Sequence, residues 1–109
     1  MEDVGWQVAA HTARVVDDLC VVALSGEIDM STAGDLEKWL REAMRDSGCR
    51  RLEVDLTDLD FLDSFGIRAL LRGKEYADEK GVAFVATHPN GLIERILRTL
   101  GLFEHLTTS

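Results

Sequence analysis

One hydroxyl stands out by its setting. Ser64, in the stretch "LDFLDSFGIRALL", lies between an acidic run and an apolar run at helical spacing. A serine in the first turn of a helix has two chemistries open to it. Its oxygen can accept a hydrogen bond from an unpaired backbone N–H two or three residues on, which makes it an N-cap. The same free N–H groups and the positive helix end can also accommodate a phosphate, which makes Ser64 a candidate phosphoacceptor. Local sequence leaves both readings standing. Asp55, near the end of an alternating segment, is a second candidate, as the phosphoacceptor aspartate of a receiver-type site. The three lysines, Lys38, Lys74 and Lys80, are not placed in a late strand as that mechanism needs.

Other chemistries lack their parts. His88 and His105 follow Ser64, but no G-x-S-x-G elbow surrounds the serine and no base is recognisable, which argues against a hydrolase. His11, His88 and His105 have no metal-ligand spacing, and a P-loop or dinucleotide fingerprint is absent, so no metal, nucleotide or other cofactor is expected. Cys20 and Cys49 form neither a zinc motif nor a disulfide framework and read as small buried or edge thiols. The expected class is a binding protein, not an enzyme.

Two hydrophobic periods alternate in the elements that must position these residues. The segment from Trp6 to Arg14 is mixed but strand-like, Asp17 and Asp18 supply a turn, and "LCVVALSG" reads as a buried strand, so the chain opens with a hairpin. In "MSTAGDLEKWLREAMRDSG", Ala33, Leu36, Leu40, Ala43 and Met44 share one helical face, with Ser31 or Thr32 as N-cap and Gly48 as stop. Leu52, Val54 and Leu56 alternate as in a half-buried strand ending at Leu56 or Thr57. Asp58 to Asp63 then form a short acidic connection. Ile67, Leu70, Leu71 and Ala77 define a second helix up to Gly81, Val82 to Ala86 a fourth strand, and Asn90 caps a helix carrying Ile93, Ile96, Leu97 and Leu100 that Gly101 ends. The tail "LFEHLTTS" is assigned to a short edge strand. This order predicts an α/β fold: one domain over residues 1–109, with a mixed, mostly parallel sheet of four to five strands and packed helices, since parallel strands need crossover connections.

Composition narrows the partners. A chain of 109 residues, 46% of them hydrophobic, can bury about two thirds of its unfolded surface in one core. No window reaches the roughly 18 apolar residues of a membrane span, and the start "MEDVGWQVAA" is acidic where a secretion signal would be basic, so a cytoplasmic protein without membrane contact is expected. A net charge of −8 argues against a nucleic-acid surface and for a protein partner with a basic docking face.

Two short motifs, in order and with "VDL" between them and "LIERILRTLGL" after them, resemble a STAS domain of the anti-sigma-factor antagonist type. They are Gly26-Glu27-Ile28-Asp29 and Asp63-Ser64-Phe65-Gly66, and the likeness runs over almost the whole chain. The resemblance implies that Ser64 is phosphorylated by a partner that is both serine kinase and anti-sigma factor, and that a serine phosphatase reverses it. It also implies that Asp29 lies near Ser64. The partner-binding residues it suggests are Asp29, Asp63, Ser64, Phe65, Gly66 and Arg68. The chain departs from the family pattern at Phe65, where a second hydroxyl is usual, and at Ile67-Arg68, where Leu-Gly often follows the glycine. Phe65 could anchor a docked partner or pack inward; Arg68 could pair with phosphate or stay solvated. Within the same fold family, a non-catalytic scaffold subunit of a signalling or transport-linked complex is the alternative.

Overall fold

A computed structural model describes residues 9–108. The order of elements is β1 (Ala10–Val16), β2 (Leu19–Ile28), α1 (Ala33–Ser47), β3 (Arg51–Leu62), α2 (Ser64–Lys80), β4 (Ala83–Thr87), α3 (Gly91–Thr99) and α4 (Phe103–Thr107). The four strands form one sheet in sequential order, with β1 antiparallel to β2 and the pairs β2/β3 and β3/β4 parallel. This is the expected mixed, mostly parallel sheet. The Trp6 to Val8 part of the expected first strand lies outside the described residues.

Each element follows from its sequence. Asp17 takes the left-handed conformation at φ 55° in the hairpin turn, a geometry that aspartate tolerates because its short polar side chain bonds locally. Gly48, Gly81 and Gly101, at φ between 66° and 72°, end α1, α2 and α3 where each was expected to stop a helix. Alternate strand residues, among them Val22, Leu24, Leu52, Val54, Phe84 and Ala86, face the helices and share one core with Leu36 and Leu40 of α1, Leu70 of α2, Ile93 and Leu97 of α3, and Leu106 of α4. No helix among the described residues is long and apolar enough to cross a membrane.

Two expectations are corrected. The third strand does not stop at Leu56 or Thr57; it runs to Leu62, and residues expected as an acidic connection belong to it. The register of β3 against β2 shifts between Ala23 and Ser25 and again between Gly26 and Glu27. At each shift β3 carries an extra residue, so its buried positions alternate through Leu52, Val54 and Leu56 and then fall at Leu59 and Leu62. A reading that requires period two loses the strand at the first bulge. The tail is likewise not an edge strand. After the reversal at Gly101, Leu102 and Phe103 pack against the core and Leu106 is buried, which is helical spacing, and the hydroxyls of Thr107 and Thr108 donate back to the carbonyls of Phe103 and Glu104.

Candidate functional site

The bulged end of β3 delivers Asp63 and Ser64 beside the end of β2. Ile28 pairs with Leu62, and the backbone N–H of Asp63 donates to the Ile28 carbonyl at 3.1 Å. The two motifs are therefore joined by a backbone hydrogen bond. Gly66 closes the junction from the helix side. A Cβ at this position would stand 2.5 Å from Leu62 Cδ1, 2.9 Å from Ile28 Cγ2 and 3.2 Å from Ile28 Cβ, so glycine is what lets the first turn of α2 rest on the strand ends. Asn90 fastens the third side: its Nδ2 donates to the Leu59 carbonyl at 2.5 Å while its Oδ1 accepts from the N–H groups of Leu92 and Ile93.

Ser64 is not the cap. Asp63 is the N-cap of α2, and its Oδ1 accepts from Phe65 N at 2.9 Å and Gly66 N at 3.0 Å. A carboxylate outcompetes a hydroxyl for these donors because the bond is charge-assisted and sits at the positive end of the helix. Ser64 is instead the first helical residue, exposed, and its hydroxyl makes no hydrogen bond among the described residues. Removing the real cap has a measurable cost. Asp63→Ala is expected to lose about 0.5–2 kcal/mol of stability and Asp63→Asn much less, because asparagine keeps the accepting oxygen. Urea unfolding of the two variants checks this, and equal losses would show that the charge and not the cap bond matters.

Asp29 lies on the same end of the sheet, but its carboxylate serves its own loop. Oδ1 accepts from Ser31 N at 2.9 Å and Ser31 Oγ at 2.7 Å, with Thr32 Oγ1 at 3.4 Å, and it makes no hydrogen bond to Ser64 among the described residues. Those hydroxyl and N–H bonds from Ser31 hold the Asp29 carboxyl below its ordinary pKa. Thr32 occupies the cap position of α1 without capping it; its hydroxyl accepts from Asp29 N at 2.9 Å instead. Phe65 points outward, with 44% of its surface exposed, and lies outside the core cluster. Arg68 is exposed, one helical turn after Ser64, and forms no ion pair among the described residues.

Three more exposed apolar residues ring this end and were not singled out from sequence: Met30 two residues past Ile28, Phe61 opposite Glu27, and Leu92 two residues past Asn90. Their signal was faint, since each reads as an ordinary core candidate until the bulges and loops turn it outward. Asp58 and Asp60 are exposed on the same stretch of β3. The receiver-type alternative finds no support. Asp55 accepts from Thr57 Oγ1 at 2.6 Å and Thr57 N at 3.0 Å and faces His88 Nδ1 at 3.6 Å, whereas Lys38, Lys74 and Lys80 sit on α1 and α2. Burial pushes the Asp55 pKa up, but the Thr57 bonds and His88 together outweigh it and leave the carboxyl below its ordinary value.

A family model described as "Mlab, STAS domain" matches residues 11–108. The chain belongs to the STAS-domain family. Among the relatives of this STAS domain is the anti-sigma F factor antagonist of Paenibacillus polymyxa, 30% identical over 84 residues that cover 77% of this chain and 72% of the relative. Among solved structures, an anti-sigma factor antagonist from Mycobacterium paratuberculosis is 31% identical with a TM-score of 0.73, over 93% of this chain and 84% of that one. The Bacillus cell fate determinant SpoIIAA in its phosphorylated form has a TM-score of 0.66 at 18% identity, over 85% of each chain, a likeness of fold alone.

Proposed function

We propose that this STAS domain is an anti-sigma-factor antagonist that works by partner switching. The unmodified protein docks on an anti-sigma factor that is also a serine kinase, and phosphorylation of Ser64 turns it off. The observation that carries this reading is the exposed Ser64 hydroxyl, released from capping by Asp63, at the end of the sheet that also carries the exposed Phe65, Met30 and Phe61. An apolar centre with an acidic rim fits a protein partner with a basic docking face. In this arrangement Ser64, Phe65, Arg68 and the Asp29 loop contact the partner, while Asp63 and Gly66 hold the helix entrance in place. A serine phosphatase resets the switch. The domain is not an enzyme, takes no cofactor, works in the cytoplasm, and binds neither nucleic acid nor membrane.

The mechanism needs no refolding. Asp63 already occupies two of the N–H groups that a phosphate would otherwise use, so a phosphoserine at position 64 adds roughly −1.5 to −2 charges beside an existing carboxylate. Arg68, four residues on, is the α2 cation placed to offset it. The net effect at a docked surface is repulsion and unfavourable desolvation.

The test is incubation with candidate anti-sigma-factor serine kinases and ATP, followed by intact-mass measurement and site mapping. One phosphate on Ser64, absent from Ser64→Ala, is expected. Phosphate on Ser31 or Thr57 would contradict the proposal, and neither is expected, because their hydroxyls are held by Asp29 and Asp55 at 2.7 Å and 2.6 Å. Labelling at Ser25 would contradict it equally.

A further inference from the structure

Cys20 and Cys49, far apart in sequence, meet at the opposite end of the sheet from Ser64. Cys20 is the second residue of β2, and Cys49 lies in the connection between α1 and β3, just ahead of the strand. The N–H groups of Arg50 and Arg51 both donate to the Asp18 carbonyl, at 2.8 Å and 3.2 Å, which draws the approach to β3 against the start of β2. Both thiols are buried in the same core cluster, at 1% and 5% exposure, near enough that charge on Cys49 is felt at Cys20. Ser47 stands between them: it lines the same groove as Cys20, and its Oγ accepts from Cys49 N at 3.1 Å. Both are free thiols.

Each thiol also borders its own surface hollow. Cys20 lines the groove between β1 and α1 together with His11, Val15 and Trp39. Cys49 lines a second hollow with Arg45, Tyr76 and Lys80, whose two cations favour the approach of an anionic reagent. We infer that Cys20 and Cys49 form a reversible intramolecular disulfide, closed by low-molecular-weight disulfides such as oxidised glutathione. The Cys49 thiolate attacks one sulfur of the small disulfide, forming a mixed disulfide and expelling one small thiolate. The Cys20 thiolate then attacks the Cys49 sulfur, forms the protein disulfide and expels the second small thiolate. The protons of the two cysteines end on the two small thiols, and the two electrons lost by the protein reduce the reagent.

Burial, with Cys49 alongside, pushes the Cys20 thiol above its ordinary pKa, so closure is slow at neutral pH and faster under mildly alkaline conditions. The bond would tie the start of β2 to the α1–β3 connection and leave the Ser64 end unaltered. It is a clamp on stability, because cross-linking restricts the unfolded chain.

The experiment incubates the folded chain with oxidised glutathione at mildly alkaline pH, quenches in acid, and alkylates in denaturant. Expected are an intact mass lower by two hydrogens, no alkylation, a peptide joining Cys20 to Cys49, full reversal by dithiothreitol, and a melting temperature raised by several degrees. Cys20→Ser should instead keep a glutathione adduct on Cys49. If that variant fails to fold, the wild-type mass and peptide map decide alone. Two thiols still alkylated after oxidation, a stable glutathione adduct on the wild type, or cross-links only between molecules would overturn the inference.

Discussion

Ser64→Glu is expected to bind the partner anti-sigma factor more weakly than the unmodified protein, while Ser64→Ala binds as well as wild type. The structure removes the usual ambiguity about folding. Because the Ser64 hydroxyl makes no hydrogen bond among the described residues and Asp63 does the capping, alanine gives up no bond and gains slightly in helix propensity. Glutamate in the first turn is favoured by the helix dipole, by about 0.3–1 kcal/mol. Neither variant should melt below wild type. A loss of affinity in Ser64→Glu is then attributable to charge at the docked surface, next to Asp63 and the exposed Asp58 and Asp60. The phosphoprotein should lose about tenfold or more, ~1.4 kcal/mol, and the glutamate variant less, since it adds one charge where phosphoserine approaches two. Titration calorimetry against the partner kinase gives the order. Equal affinities for all four forms would remove phosphorylation control and leave the scaffold reading ahead.

The second large effect is on the fold at the same site. Gly66→Ala should destabilise the protein by about 1–3 kcal/mol, although alanine is the better helix former by about 1 kcal/mol. The added Cβ would meet Leu62 Cδ1 at 2.5 Å and Ile28 Cγ2 at 2.9 Å. Leu62 is buried and Ile28 is β-branched, so neither can turn away cheaply. Relief must come from moving α2 off the strand ends, which separates Ser64 from the Asp29 loop. Urea unfolding should show the stability loss, and kinase labelling at Ser64 should slow in conditions where the variant is fully folded. A variant as stable as wild type would mean that the helix entrance adjusts without strain. Loss of stability with unchanged labelling would confine Gly66 to packing.

Much of this protein was legible in the sequence because the deciding interactions are local. Hydrophobic period separates β2 from α1 and α2, glycines at the three helix ends supply left-handed backbone that other residues resist, and Asn90 sits where a cap is needed; all of these are settled within a few residues. The two motifs that mark the STAS family are likewise short strings. Tertiary structure decided the rest. Whether Asp63 or Ser64 caps α2 depends on where β3 ends, and that depends on two bulges created by pairing with β2. Whether Phe65 packs inward depends on the seat of α2 against Ile28. The tail became a helix because the core offered a place for Leu106, and two cysteines far apart in sequence became neighbours because the starts of two parallel strands lie side by side. Local sequence sets what each segment can form; contacts between distant segments choose among those forms, because burial of apolar surface is gained only when the partners are in place.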